Sequence, residues 1–127
     1  MSTGRIIIVD DEDDIRAIAQ LSLESVGGWQ VHPVASGAAA LEALDAEGPF
    51  DAVLLDVMMH ELDGPSTLAR LRATDAGRDL PVILLTAKVQ PADRRALEEA
   101  GATGILAKPF DPMRLADDVN RILEARR

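Results

Sequence analysis

Arg5-Ile6-Ile7-Ile8-Val9-Asp10-Asp11-Glu12-Asp13-Asp14 is the stretch that decides the fold: an apolar run of strand length that stops abruptly in a block of acids. A strand with consecutive apolar residues is covered on both faces, the habit of a parallel sheet between layers of helices. Four further runs of strand length follow, at Trp29 to Val34, Ala52 to Leu55, Val82 to Leu85 and Gly104 to Ala107. Helical spacing fills the gaps. Ile15, Ile18, Ala19, Ser22 and Val26 fall at i, i+3, i+4 intervals, and Gly27-Gly28 supplies a stop. Leu115, Val119, Ile122 and Leu123 repeat the pattern, and Leu41 with Leu44 and Leu68 with Leu71 mark weaker stripes. Pro91 to Ala100 has only Leu97 and alanines to bury, so the fourth helix is expected to be the least firmly anchored. Five strands alternating with five helices predict a doubly wound α/β fold around a five-stranded parallel sheet.

At 127 residues the chain fits one domain, expected to span 1-127, with 47% hydrophobic and 28% charged residues. The net charge of -9, from 22 acidic against 13 basic residues, speaks against nucleic acid and anionic membrane as partners. Cysteine is absent, which excludes a disulfide framework and thiolate metal sites and agrees with a reducing cytosol. The apolar run Ile6 to Val9 is far too short for a signal peptide or a membrane span, so the expected location is cytoplasmic.

In an open parallel sheet, ligands bind beyond the carboxyl ends of the strands, near the point where strand order reverses. Here those ends are Asp10 to Asp14, Asp56, Thr86 with Ala87, and Lys108 with Pro109; in the order 2-1-3-4-5 they converge on one rim. Carboxylates gathered so closely repel unless a cation or proton intervenes. Mg²⁺, which prefers hard oxygen ligands, is the economical answer, and the lack of thiol and imidazole ligands argues against zinc. Glu12 to Asp14 read more simply as acids in a first helical turn. Asp56, taken alone, serves equally well as a turn or capping residue, and Lys108 alone as a solvated lysine. In company, a carboxylate at Asp56 can attack phosphorus while Lys108 and Thr86 meet the phosphoryl oxygens and the small Ala87 leaves them room.

Ile8-Val9-Asp10-Asp11-Glu12, Leu54-Leu55-Asp56-Val57-Met58-Met59, Asp63-Gly64, Leu85-Thr86-Ala87 and Lys108-Pro109-Phe110, in this order, resemble the receiver domain of response regulators, in the single-domain form used in chemotaxis. The resemblance covers essentially the whole chain and implies a flavodoxin-like sheet. It implies that Asp56 accepts a phosphoryl group from a sensor histidine kinase or a histidine phosphotransfer protein. It further implies that Asp10, Asp11, Asp56 and the Met58 carbonyl hold Mg²⁺, that Thr86, Ala87, Met58 and Lys108 surround the phosphoryl group, and that the bond before Pro109 is cis. Thr86 and Ile105 stand at the family's switch positions, and output is expected through the fourth helix, fifth strand and fifth helix toward an unidentified protein target. Two positions depart from the pattern. His60 replaces a common proline and is read as a solvent-exposed loop residue, and Ile105 replaces a common aromatic, which weakens an aromatic-rotamer switch.

Two other readings compete. A haloacid-dehalogenase-type phosphatase also uses an aspartate nucleophile with Mg²⁺, and Asp11-Glu12-Asp13 has its D-x-D form, but Ile15 stands where Thr or Val is expected and little sequence remains for a cap. A phosphorylation-independent adaptor would have no need for so costly a carboxylate cluster. Glycine-rich nucleotide loops are absent after the first strand. The chain ends at Arg127, directly after the expected fifth helix, so output is expected through binding, whether these residues stand alone or belong to a longer protein.

Overall fold

The computed structural model describes residues 4–125. Ten elements alternate along the chain: β1 (Arg5–Val9), α1 (Asp13–Ser25), β2 (Gln30–Val34), α2 (Gly37–Glu47), β3 (Ala52–Asp56), α3 (Gly64–Arg72), β4 (Val82–Thr86), α4 (Pro91–Glu99), β5 (Gly104–Ala107) and α5 (Leu115–Ala125). The strands form one parallel sheet in the order β2-β1-β3-β4-β5, as expected. Strand order reverses between β1 and β3.

Alternation along the apolar strands divides the core in two. Ile7, Val9, Val53, Leu55, Val82 and Leu84 pack against Ala40 and Leu44 of α2 and Leu68 and Leu71 of α3. Ile6, Ile8, Leu54, Ile83 and Leu85 pack on the other face against Ala19 and Leu23 of α1 and Leu115, Ala116 and Val119 of α5. Every residue of β3 and β4 is buried, which explains why these strands read as unbroken apolar runs. Each large side chain so buried contributes roughly 1.5–3 kcal/mol through its removal from water.

The buried stripe of α1 overlaps the one its spacing suggests, through Ala19 and Ser22, but is shifted toward Leu23. Ala19, Ser22 and Leu23 are buried, while Ile18 and Val26 are 43% and 46% exposed. Ser22, buried as its spacing suggests, donates its hydroxyl to the Pro112 carbonyl and so ties this side of the helix to the segment before α5. The expected stop is present: the chain leaves α1 through Gly28 at φ 73°, a conformation that favours glycine. Helix α4 has no buried residue, in line with its polar sequence.

Candidate functional site

The register keeps the strand ends level. Val9 pairs with Leu55, Asp56 with Leu85 and Thr86 with Ala107, so Asp10, Asp56, Thr86 and Lys108 leave the sheet along one rim. Two bonds carry the ladder just past the strands, from the Val57 N–H to the Leu85 carbonyl (3.0 Å) and from the Lys108 N–H to the Thr86 carbonyl (2.9 Å). The Asp63-Gly64 pair brings α3 hard against this rim. Asp63 caps the helix by accepting from the Ser66 N–H at 2.8 Å, and a Cβ on Gly64 would come within 2.7 Å of the Asp56 carbonyl oxygen.

Carboxylate oxygens of Asp10, Asp11 and Asp56 lie within 4.8 Å of one another. Asp10 and Asp56 are each only 1% exposed. Lys108 reaches in between them, its Nζ 3.2 Å from Asp56 Oδ2 and 3.4 Å from Asp10 Oδ2, with Glu12 Oε1 at 3.8 Å. Asp10 Oδ1 accepts from the Glu12 N–H at 2.9 Å, and the Asp10 carbonyl accepts from Arg16 at 2.7 Å. Asp56 Oδ2 has no hydrogen-bond donor among the described residues; the Lys108 ammonium meets it as an ion pair only. Burial pushes the Asp56 carboxyl above its usual range, the Asp10 charge pushes the same way, and Lys108 only partly offsets them. For Lys108, burial works against the charge, but Asp10 and Asp56 outweigh it and raise the amine above its ordinary value. The group therefore holds more negative than positive charge in a poorly solvated place, and its three carboxylates can hold a divalent cation.

The remaining residues singled out from the sequence surround this cluster unevenly. Thr86 is buried, and its Oγ1 accepts from the Lys88 N–H at 3.0 Å. Ala87 beside it is exposed. The Met58 N–H donates to Asp56 Oδ1 at 3.4 Å while the Met58 side chain is 73% exposed. Ile105 is 5% exposed and is packed within the β5 edge. The bond between Lys108 and Pro109 is cis, as expected; the bond between Gly48 and Pro49 is also cis, which the sequence reading did not anticipate. Glu12 is the N-cap position of α1 and Asp13 and Asp14 occupy its first turn, so this part of the acidic run is a helix start.

His60 is the solvent-exposed loop residue expected, and it has in addition a partner that the sequence did not show. Its ring is 89% exposed, yet Nδ1 lies 2.6 Å from Asp11 Oδ2, and its backbone N–H donates to the same oxygen at 3.0 Å. The hydrogen bond from His60 holds the Asp11 carboxyl below its usual range, and in turn the imidazole is raised above its own. Residues 11 and 60 are far apart in sequence and only loop closure joins them. Arg16 was also missed, although its place one turn into a helix that follows the acids is a usable signal.

Comparison with known proteins agrees with this geometry. The family model of the response regulator receiver domain matches residues 6–120. The chain is 42% identical to the response regulator MprA of Mycolicibacterium vanbaalenii over 106 residues, covering 84% of this chain and 44% of that protein. It is 38% identical to the transcriptional regulatory protein PrrA of Mycobacterium tuberculosis, covering 99% and 54% respectively. The chain thus spans about half the length of these curated relatives. Among solved structures, chemotaxis response regulator CheY4 of Vibrio cholerae superposes with a TM-score of 0.88 at 28% identity, over 95% of this chain and 99% of that one. The receiver domain of sensor histidine kinase PA1611 from Pseudomonas aeruginosa, solved with a magnesium ion in its active site cleft, superposes at 0.80 with 33% identity, over 97% of each chain. With the fold, the rim of strand ends and the family match in agreement, the chain belongs to the response regulator receiver domain family of two-component signalling.

Proposed function

We propose that residues 1-127 form one receiver domain that accepts a phosphoryl group on Asp56, in a Mg²⁺-dependent reaction, from a sensor histidine kinase or a histidine phosphotransfer protein. The observation that supports this best is the buried Asp56 Oδ2, which has no hydrogen-bond donor among the described residues and lies 3.2 Å from the Lys108 ammonium. An oxygen in that state keeps its lone pairs available, and a cation stands ready beside it. An Asp56 oxygen attacks the phosphorus of a phosphohistidine; the P–O bond forms as the P–N bond breaks, and the leaving imidazole takes up a proton. Lys108 meets the transferred phosphoryl oxygens, Thr86 donates its hydroxyl to one of them, and exposed Ala87 and Met58 offer their backbone to the rest.

The residues present fit a hard divalent cation: Asp10, Asp11 and Asp56 would hold Mg²⁺ together with the Met58 carbonyl, and the ion would neutralise charge on the phosphoryl oxygens. The domain modifies itself and slowly hydrolyses its own phosphate, without turnover of an outside substrate. The phosphatase alternative is set aside, because the family match and the named relatives are response regulators. The signal then passes to a protein partner through α4, β5 and α5, in the cytoplasm. Among the described residues no helix is long and apolar enough to cross a membrane. The charge of -9 favours protein over nucleic acid as the direct partner of these residues. PrrA is named a transcriptional regulator and matches over 54% of its length, so DNA contact by a longer chain of that kind is a separate property.

Incubation with acetyl phosphate and Mg²⁺ tests the proposal. One phosphoryl group is expected by intact mass, removable by alkaline hydroxylamine and absent from Asp56→Asn. Full labelling of that variant rules Asp56 out, and an unlabelled wild type that still binds partners points to the adaptor reading.

A further inference from the structure

Asp11 is the least buried of the three clustered carboxylates, with a side chain 17% exposed against 2% for Asp10 and 2% for Asp56. The two buried ones are met by donors from their own loops, Asp10 Oδ1 by the Glu12 N–H at 2.9 Å and Asp56 Oδ1 by the Met58 N–H at 3.4 Å. Asp11 Oδ2 is met from across the rim instead. The His60 ring Nδ1 lies 2.6 Å from it, and the His60 backbone N–H donates to the same oxygen at 3.0 Å. We propose that His60 is a positioning residue for the cation site of Asp10, Asp11 and Asp56: its ring holds the Asp11 carboxylate within the cluster and so raises the affinity for Mg²⁺ without touching the ion. The inference rests on the metal-dependent reading above.

An ionised carboxylate has no proton to give, so Nδ1 carries the hydrogen and the ring is the donor. Both bonds end on Oδ2, and a carboxylate with two oxygens and several lone pairs keeps accepting capacity for a cation beside them. Without metal, oxygens of Asp10, Asp11 and Asp56 within 4.8 Å of one another repel, and the most exposed of the three is the freest to swing out into water. The His60 ring opposes that swing. A carboxylate already fixed near its place then loses little freedom when the ion binds. The ring itself is 89% exposed, so its removal disturbs no packing, and the backbone bond survives it. Substitution at position 60 therefore isolates what the ring contributes.

Calorimetric titration of the full chain with MgCl₂ provides the test, using wild type, His60→Ala, His60→Asn and Asp11→Ala. The amide nitrogen of asparagine, two bonds from Cβ, stands where Nδ1 stands in histidine, so His60→Asn restores a donor toward Asp11 Oδ2 without an imidazole. His60→Ala is expected to weaken Mg²⁺ binding by about tenfold, the lower end of what partners one shell outside a metal contribute, because the ring is exposed. His60→Asn is expected to recover most of that loss, and Asp11→Ala to lose more than His60→Ala does. Unchanged or tighter Mg²⁺ binding in His60→Ala overturns the inference. A His60→Asn no better than His60→Ala overturns it too, since a histidine that matters only for its bulk or charge is not replaced by an amide. Wild-type affinity in Asp11→Ala takes Asp11 out of the site and overturns it as well. A wild type that binds no Mg²⁺ removes the metal-dependent reading itself, and the inference with it.

Discussion

Lys108 Nζ lies 3.2 Å from Asp56 Oδ2 and so links the tip of β5 to the tip of β3, with β4 between them. It also faces Asp10 at 3.4 Å, so one partly exposed ammonium compensates two buried carboxylates. Lys108→Ala would leave both uncompensated, at an expected cost of about 3 kcal/mol in urea denaturation without metal. Addition of Asp56→Asn should return part of that loss. A double variant no more stable than Lys108→Ala contradicts the coupling.

Asp56 should be a stability liability at neutral pH. Its folded pKa is raised by burial above the unfolded value, so between the two values the folded state holds a proton that the unfolded state has lost. Stability therefore falls as pH rises through this window, and the penalty is fully present above it. Asp56→Asn is expected to stabilise the metal-free protein at pH 7.5 by about 1–2 kcal/mol, the scale of a relieved buried polar group. Melting temperatures should show that gain shrinking as pH falls toward about 4, the ordinary aspartate range. A gain independent of pH removes the electrostatic explanation.

The His60–Asp11 pair has the opposite sign. The raised His60 contributes stability that is fully present below its unfolded pKa and lost as pH rises through the folded one. The lowered Asp11 contributes stability present above its unfolded pKa and lost as pH falls through the folded one. The pair therefore stabilises most between the two, near about pH 5.5. Melts of wild type and His60→Ala should differ most there and converge once pH has risen through the raised His60 value. Parallel curves across that range contradict the pairing.

Helix α4 should respond to phosphoryl chemistry more than its neighbours. The Thr86 hydroxyl accepts from the Lys88 N–H at 3.0 Å and still has its proton to donate, so a movement of Thr86 toward a phosphoryl oxygen is passed to Lys88, and α4 has no buried residue to resist the change. Its far end is held, because Arg72 donates to the Gly101 carbonyl at 2.8 Å as well as to Gly77 and Leu80. Amide NMR with beryllofluoride and Mg²⁺ should show shifts running from Lys88 into α4 and fading toward Gly101. Ile105, already buried and stiff at χ1, should move little. Changes confined to the surroundings of Asp56 would refute this route and favour a partner that reads the site directly.

The sequence by itself determined the layer architecture and the strand ends. Apolar runs of strand length broken by helical spacing permit few arrangements, and Asp10, Asp56, Thr86 and Lys108 each sit where an apolar run stops, which is legible without coordinates. Local signals of this kind depend only on neighbours in the chain. The tertiary structure decided what depends on distant ones. On α1, Ser22 meets the Pro112 carbonyl, 90 residues away, and Leu23 joins the core, while Ile18 and Val26 are left outside it despite their spacing. The partner of His60 was set by the meeting of two loops from β1 and β3, 49 residues apart. Ring and carboxylate positions there follow from how the strand ends stack side by side, and hydrophobic periodicity contains no term for contacts between polar tips of different strands.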